Sequence, residues 1–260
     1  MIDSLDALLF GKVGLVLAWL VLFFLAERLR PAAPPPAAAD AAHRLPRNLS
    51  LWLVTSLVSL AVVAPLTLWA SGHALSWRPV WWSGWQGMLL DLLILDCLIY
   101  WWHRANHTLP LLWRFHQVHH LDRTLDTTSA LRFHPGEVLA SALARAGVIL
   151  LLGFPLASVL LFETLVLLAA LFHHSNLAIP ARLERALSWV VVTPSIHWVH
   201  HHAVRRDTDS NYATILSVWD RLFASRSSSP RRLDMPIGVE GAKDQGVGRL
   251  FALPFNKPER

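Results

Sequence analysis

The chain has little cysteine and little charge. Cys97 is its only cysteine, so an internal disulfide is excluded, and only 16% of its 260 residues are charged. No glycine-rich phosphate loop, internal repeat of fixed period, or flavin, nicotinamide or iron–sulfur motif is visible. Hydrophobic residues make up 54% of the chain, and the mean hydropathy of +0.40 is high for a soluble domain. The composition therefore predicts an integral membrane protein.

The formal net charge of +5 raises the question of a nucleic-acid partner. The basic residues, however, are scattered at the ends of apolar segments instead of forming one patch. Such flanking charge is typical of membrane topology signals. We therefore predict no nucleic-acid partner.

Long apolar segments predict the membrane-embedded part. A helix needs roughly 20 residues to cross a bilayer core of about 30 Å, and residues 8–26, 49–70 and 87–102 meet or approach this length. A further apolar stretch, residues 138–172, is broken by Gly153-Phe154-Pro155 and predicts a helical hairpin whose arms are short for full spans. The predicted fold class is all-α integral membrane, with about three transmembrane helices plus a helical hairpin.

The remaining segments suggest three regions. Residues 1–85 form an N-terminal transmembrane region, in which the Pro/Ala-rich residues 31–42 predict an extended, partly disordered linker. Residues 86–224 carry the histidine motifs, and residues 225–260 predict a tail of loops over the cytoplasmic face. The start of the chain has neither a basic region nor a small-residue cleavage site, so no removable signal peptide is expected.

Arginine placement predicts the orientation. The connection between the first two spans carries Arg28, Arg30, Arg44 and Arg47, whereas the next connection has only Arg78 and is rich in tryptophan. Because basic residues favour the cytoplasmic side and tryptophan the interface, the first connection is predicted to be cytoplasmic. Every histidine cluster then lies on the same side. The predicted location is a membrane, the bacterial inner membrane, with a cytoplasmic site.

Histidine recurs at metal-ligand spacing. The clusters are His103-x3-His107, His116-x2-His119-His120 and His197-x2-His200-His201-His202, with His134, His173 and His174 between them. Spacings of three and four place side chains on one face of a helix, and neutral imidazole suits iron, zinc, copper and nickel. Since one ion needs about four ligands, these clusters predict a His-rich helical site for two metals. His43 and His73 lie outside the clusters and are interpreted as ordinary polar residues.

The motifs resemble a known superfamily. They are Asp96-x3-Tyr100-Trp101-x-His103-Arg104-x2-His107, Trp113-x-Phe115-His116-x2-His119-His120, Leu131-Arg132-Phe133-His134-Pro135, His174-x-Asn176, Pro194-x2-His197-x2-His200-His201 and Asn211-Tyr212-Ala213 with Val218-Trp219-Asp220-Arg221-Leu222-Phe223. In this order they resemble the fatty acid hydroxylase / sterol desaturase superfamily, across residues 90–224.

The resemblance implies a membrane non-haem di-iron oxygenase that hydroxylates or desaturates a lipid C–H bond with O2 and two electrons. Residues 86–224 would be its catalytic domain. The ligands of two iron ions would be His103, His107, His116, His119, His120, His174, His197, His200 and His201. The substrate would be a membrane lipid, and a separate electron donor, a reductase with ferredoxin or cytochrome, would supply the electrons.

Asp96 and Tyr100 share a helical face with His103 and His107. A carboxylate inside a membrane segment is costly, and metal-bound histidine usually donates its second N–H to a carboxylate or carbonyl. We therefore predict catalytic roles for Asp96 and Tyr100, with Asp96 orienting a ligand imidazole. His134, His173 and His202 stay ambiguous at this point.

Two non-enzyme interpretations remain open on sequence alone. A membrane metal transporter would place its ligands on broken helices near the midplane, whereas these clusters follow helix ends. A bis-His haem electron carrier would need fewer histidines than the clusters supply. Metal analysis and an optical spectrum would distinguish both from an oxygenase.

Overall fold

The computed structural model describes residues 2–35 and 38–256, with side chains described from residue 11 onward except at residues 38–40. Across those ranges the chain is helical, and no β-strand occurs there. The helices are α1 (Ile2–Leu29), α2 (Ala38–Val58), α3 (Ala64–Gly72), α4 (Gly84–Thr108), α5 (Pro110–His120), α6 (Pro135–Leu152), α7 (Leu156–His174), α8 (Ala181–Leu187), α9 (Pro194–His200), α10 (Arg205–Thr208), α11 (Val218–Leu222) and α12 (Val247–Ala252).

The membrane-spanning helices correspond to the predicted apolar segments. Helices α2 and α3 join through a π-helical turn, Ser59–Val63, into one long rod. That rod, α4, α6 and α7 are each long and apolar enough to cross a membrane, and α1 contains the predicted span at residues 8–26. The hairpin arms α6 and α7 reach 18 and 19 residues. Both arms are slightly shorter than the roughly 20 residues of a full span, as expected from the sequence.

Proline sets where the helices begin near the histidine clusters. Pro110, Pro135 and Pro194 stand at the first positions of α5, α6 and α9. Proline fits this position because it lacks an N–H and fixes φ, and it forces the preceding residue into an extended conformation. At Leu109 the extended backbone separates α4 from α5, so the chain turns sharply and the first two histidine clusters face each other.

The predicted linker is partly packed. Ala33 is buried, and its backbone N–H and C=O both bond the Asn176 side chain at 2.9 Å. Residues 36–37 lie outside the described ranges, and helix α2 already begins at Ala38. Among the described residues of the predicted linker, only residues 31–35 therefore lie outside a helix.

The tail is also more ordered than predicted. Met235, Ile237 and Leu250 are buried, and helix α12 is followed by a 3-10 turn, Leu253–Phe255. The Gly238 N–H bonds the His201 carbonyl at 3.1 Å, which lays the tail along the third histidine cluster. The sequence pattern suggested loops because these few buried apolar side chains lie within an otherwise polar segment.

A buried polar layer joins the helices at the end that carries the histidines, here called the site side. The Arg44 guanidinium of α2 bonds Asp122 at 2.7 and 2.8 Å and Asp126 at 2.6 and 3.0 Å. Glu27 of α1 accepts from the Thr127 N–H and from the Asn176 N–H, each at 2.9 Å. The first helices are thus fixed to the loops that follow the histidine clusters.

A second polar cluster lies at the opposite end of the helices. Asp91 of α4 pairs with Arg78, accepts from Trp82 Nε1 at 2.8 Å and accepts from Ser158 Oγ at 2.7 Å. Gly153 ends α6 at φ +68°, where an added Cβ would lie 2.5 Å from the Leu75 carbonyl oxygen. Glycine meets both requirements of this turn.

Candidate metal centre

Four helix ends converge to bring the histidines together. His103 and His107 come from the end of α4, His116, His119 and His120 from α5, His174 from the end of α7, and His197 and His200 from α9, with His201 just after it. The eight other than His103 are buried, and His103 is partly buried. All nine predicted ligands therefore meet in one place.

The nine imidazoles divide into two groups. The five-His group is His103, His107, His116, His120 and His200, and the four-His group is His119, His174, His197 and His201. In each group, one nitrogen from every ring lies within 4.8 Å of the others. The groups adjoin, because the rings of His120 and His201 stack with centroids 4.3 Å apart.

Adjacent histidines explain the division. His119 and His120 are neighbours in sequence but belong to different groups. The same is true of His200 and His201. Successive side chains on a helix point about 100° apart. One His-His pair therefore supplies a ligand to each of two neighbouring sites, which accounts for the doubled histidines in the second and third clusters.

Hydrogen bonds to carbonyl oxygens orient several rings. His103 Nδ1 lies 2.8 Å from the Tyr212 carbonyl oxygen, and His200 Nδ1 lies 2.7 Å from that of Ser210. His119 Nδ1 lies 3.1 Å from the Arg132 carbonyl oxygen, and His174 Nδ1 lies 2.8 Å from that of Ala170. A carbonyl only accepts, so Nδ1 carries the proton and Nε2 keeps its lone pair. These four rings are fixed in the tautomer that a metal ligand needs.

Unpartnered nitrogens support a metal in the five-His group. Both ring nitrogens of His107 and His120, and Nε2 of His116 and His200, are buried without a hydrogen-bond partner among the described residues. Buried polar atoms are normally satisfied, so such a concentration requires an explanation. An ion bound by these nitrogens would satisfy them.

Nitrogen spacing supports a metal in the four-His group. His174 Nε2 lies 3.1 Å from His119 Nε2 and 2.9 Å from His197 Nε2, and His197 Nε2 lies 3.1 Å from His201 Nε2. Ligand nitrogens sit about 2.0–2.1 Å from a metal ion, so two at right angles are about 3 Å apart. The donor set and its spacing therefore fit a divalent transition metal.

The environment keeps the ligands neutral. Burial, reinforced by neighbouring imidazoles, holds the pKa of five imidazoles well below the ordinary histidine value, namely those of His119, His120, His197, His200 and His201. Protonation of one ring would place a charge among its neighbours in a low-dielectric interior. Neutral imidazole is the form that binds metal.

The loop at residues 210–212 serves two ligands at once. Its Ser210 and Tyr212 carbonyls hold His200 and His103, while Asn211 between them adopts φ 53°. The Asp220 carboxylate accepts from the backbone N–H of Tyr212 at 2.8 Å and of Ala213 at 3.1 Å. This gives a physical reason for the Asn-Tyr-Ala and Trp-Asp motifs: they shape a backbone that orients ligands.

Glu137 is a carboxylate within hydrogen-bond distance of a predicted ligand. Its Oε1 lies 2.8 Å from His116 Nδ1 and 3.4 Å from Asn106 Nδ2, and the residue is 7% exposed. Glu137 was not among the predicted site residues. The available signal was an acidic residue in the first turn of a membrane helix, directly after the Leu-Arg-Phe-His-Pro motif.

Asp96 and Tyr100 take partners other than the imidazoles. Asp96 Oδ2 accepts from the Leu216 N–H at 3.1 Å and from Trp219 Nε1 at 2.8 Å. The Tyr100 hydroxyl lies 2.8 Å from Ser225 Oγ. The predicted contact between Asp96 and a ligand imidazole is therefore not formed, because the segment around α11 packs against this part of α4 and uses the carboxylate.

The three ambiguous histidines lie outside both groups. His134 caps α6, with Nδ1 accepting from the Gly136 N–H at 2.9 Å and Nε2 lying 3.1 Å from the Phe251 carbonyl. His202 pairs with Asp207 at 2.8 Å. The His173 ring lies beside that of His197, with ring centroids 4.0 Å apart. Hydrogen bonding occupies His134 on both nitrogens, so it has no free nitrogen for a metal.

The chain is similar to lipid-modifying enzymes. It is 30% identical to an ornithine lipid hydroxylase of Rhizobium tropici over 78% of this chain and 60% of that protein. It is 32% identical to the alkylglycerol monooxygenase of Danio rerio over 70% of this chain and 40% of the relative. It is 25% identical to the cholesterol 25-hydroxylase of Rattus norvegicus over 72% of this chain and 63% of that protein.

The region shared with this chain covers 60% of the ornithine lipid hydroxylase and 40% of the alkylglycerol monooxygenase, so both relatives are longer than that region. No solved structure matches the chain significantly. The sequence profile described as fatty acid hydroxylase matches residues 88–225, which contain all nine grouped histidines and the loop that orients two of them. The chain belongs to the fatty acid hydroxylase family.

Proposed function

We propose that this protein is a membrane-bound non-haem di-iron oxygenase that hydroxylates a lipid C–H bond. The observation that carries the proposal is the division of nine histidines, eight of them buried, into two adjoining groups. One ion in each group gives a two-metal site with an all-nitrogen ligand field. Iron fits such a field, and the family relationship favours iron over the other metals that imidazole binds.

Iron bound in the two groups would supply the activation of O2 and the removal of hydrogen from an unreactive C–H bond, which side chains do not achieve alone. In the balanced reaction, a lipid C–H, O2, two electrons and two protons give the lipid alcohol and water. The residues of this chain hold the ions, orient the rings and exclude bulk water. The buried state of eight of the nine imidazoles supports this last role.

Backbone and carboxylate partners would keep the ligands in place during turnover. The carbonyls of Ser210, Tyr212, Arg132 and Ala170 each fix the proton of one ring on Nδ1. Glu137 accepts the Nδ1 proton of His116 and so orients that ring. The assembly needs no rearrangement to present lone pairs to the metals.

A lipid substrate is supported by the relatives and by the surroundings of the site. The names of the relatives specify an ornithine lipid, an alkylglycerol and cholesterol as substrates of those proteins, and all three are membrane lipids. His103 and His107 lie near the end of the spanning helix α4, and His174 is the last residue of the spanning helix α7. A lipid would reach the site laterally from the bilayer.

We further propose that the site faces the cytoplasm across a bacterial inner membrane and that a separate donor, a reductase with ferredoxin or cytochrome, supplies electrons. Arginines on the site side support the orientation. Cysteines placed at the exposed residues Ser83 and Ser228 test it: Ser83 should react with an impermeant thiol reagent in intact cells, and Ser228 only after permeabilisation. The reverse pattern would reject the cytoplasmic site.

An isotope experiment tests the reaction. The purified iron-loaded protein is incubated with a total lipid extract, a ferredoxin reductase system and isotopically labelled O2. The expected result is a lipid that gains one labelled oxygen atom, absent with a His119→Ala/His200→Ala double variant. An intense Soret absorption band would instead indicate a haem carrier, and metal uptake into sealed vesicles without lipid oxidation would indicate a transporter.

A further inference from the structure

The segment around α11 lies against the middle of a spanning helix. Asp96 is the central residue of the 25-residue helix α4, so about 18 Å of helix extends on each side at about 1.5 Å per residue. A bilayer core of about 30 Å that lies within the length of this helix must include its midpoint. Leu216 and Trp219 bond Asp96, and Phe223 packs on Trp101 with ring centroids 4.9 Å apart.

The backbone of this segment is satisfied within the protein. The Leu216 N–H uses Asp96, the Ser217 N–H bonds the Val190 carbonyl at 3.0 Å, and the Val192 N–H bonds the Ile215 carbonyl at 2.9 Å. Irregular backbone is tolerated at membrane depth only where such partners are present. The intramembrane carboxylate of Asp96 thus has a purpose, which is to accept hydrogen bonds from a segment immersed beside it.

The outer surface of the same region is apolar and exposed. The exposed side chains, here called the α8–α11 face, are Leu183, Trp189, Val190, Val218 and Leu222. Trp189 is 64% exposed and Leu222 64% exposed. The two parts adjoin, because Arg221 of α11 donates to the Trp189 carbonyl and Val191 bridges to Leu216.

Arginines border this apolar face. Arg182 and Arg185 of α8 are exposed, and the Arg221 guanidinium lies 5.0 Å from the Trp189 ring centre. Tryptophan and arginine beside exposed aliphatic residues are typical of a segment lying in a membrane interface. The face also continues the lipid-exposed surface of α4, on which Leu93 and Trp101 are exposed.

We propose that the α8–α11 face is immersed in the site-side leaflet, where Trp189, Val190, Val218 and Leu222 contact lipid acyl chains and Arg182 and Arg185 contact anionic lipid headgroups. The third histidine cluster lies between the two parts of this face in sequence. The face therefore anchors that cluster to the bilayer.

Site-directed fluorescence tests the proposal. In a Cys97→Ala background, single cysteines replace Val190 or Leu222, carry an environment-sensitive fluorophore, and are reconstituted in phosphatidylcholine–phosphatidylglycerol bilayers. Nitroxides on the acyl chains should quench both positions as strongly as a label at Leu93. A label at Leu233, which is an exposed leucine of the tail at 56%, is the matched control and should not be quenched.

A label at Arg185 extends the test to the headgroup region. Nitroxides on the lipid headgroup should quench it more than nitroxides deep in the chain. Quenching of Val190 and Leu222 by aqueous iodide instead of by lipid would overturn the proposal, because the face would be in water. Protection from both quenchers would also overturn it, because protein, such as a second copy of the chain, would then cover the face.

Discussion

The two histidine groups differ in how their rings are held. In the four-His group the Nε2 atoms approach one another at 2.9–3.1 Å, and the orienting partners are backbone carbonyls. In the five-His group most metal-facing nitrogens have no partner, and one ring is held by the carboxylate of Glu137. His107 also faces Asp209, whose Oδ1 lies 3.6 Å from its Nδ1.

This difference suggests distinct behaviour for the two ions. The four-His group is compact and neutral, and two of its rings are oriented by the backbone carbonyls of Arg132 and Ala170. The five-His group has carboxylates in contact with its rings and depends on the loop at residues 210–212. Substitutions outside the ligands should therefore disturb the five-His group more than the four-His group.

Ligand removal should have the largest effect. His119→Ala removes one ligand of the four-His group and His200→Ala one of the five-His group. Each variant should lose iron from its own group and reduce lipid hydroxylation by more than about 100-fold, beyond the 10–100-fold typical of a residue that only supports a ligand. Elemental analysis and product assay measure both. His43→Ala, at an exposed position of α2, should match the wild type.

Glu137→Gln should have the next largest effect. The amide keeps the shape of the side chain but removes the charge that supports His116, so iron retention by the five-His group under chelator challenge should fall about 10–100-fold. The exposed Glu240→Gln is the control. Equal loss from both groups would show that Glu137 acts on the whole fold and not on one group.

Asp220→Asn should disturb the five-His group through the backbone. One side-chain oxygen must then replace the two that accept from Tyr212 and Ala213, so the carbonyl that holds His103 should become less fixed. We expect a loss of iron affinity in the lower part of the roughly 10–100-fold range for outer partners. Iron bound by the four-His group, followed in a His200→Ala background, should stay unchanged.

Asp96→Leu should have the smallest effect on metal and a measurable effect on stability. The Leu216 and Trp219 N–H groups would lose their acceptor, which costs about 1–3 kcal/mol for each buried unsatisfied group. Thermal unfolding should occur at lower temperature while iron per folded chain stays at the wild-type value. Loss of iron from the folded variant would restore the sequence-based hypothesis that Asp96 supports a ligand.

Sequence patterning was sufficient for the helices and for the choice of histidines. Apolar runs of spanning length gave the membrane helices, and spacing together with the family motifs selected the nine residues that meet. The doubled histidines indicate that two groups exist. Which histidine belongs to which group depends on how α5 and α9 are rotated against each other.

The contacts that support the ligands could not be predicted from the sequence in the same way. Asp96 and Leu216 are 120 positions apart, and Glu137 meets His116 only because α6 packs beside α5. A carboxylate on the same helical face as two ligands was a reasonable candidate for orienting them. Periodicity shows which residues share a helix face, whereas the neighbour that occupies that face is set by tertiary packing.

Iron stoichiometry tests the central claim most directly. Protein purified without chelator should contain about two iron ions per chain, and the His119→Ala and His200→Ala variants should each retain about one, since each substitution affects one group. A wild-type content of about one ion, or simultaneous loss of all iron in both single variants from folded protein, would contradict a centre made of two separate histidine groups.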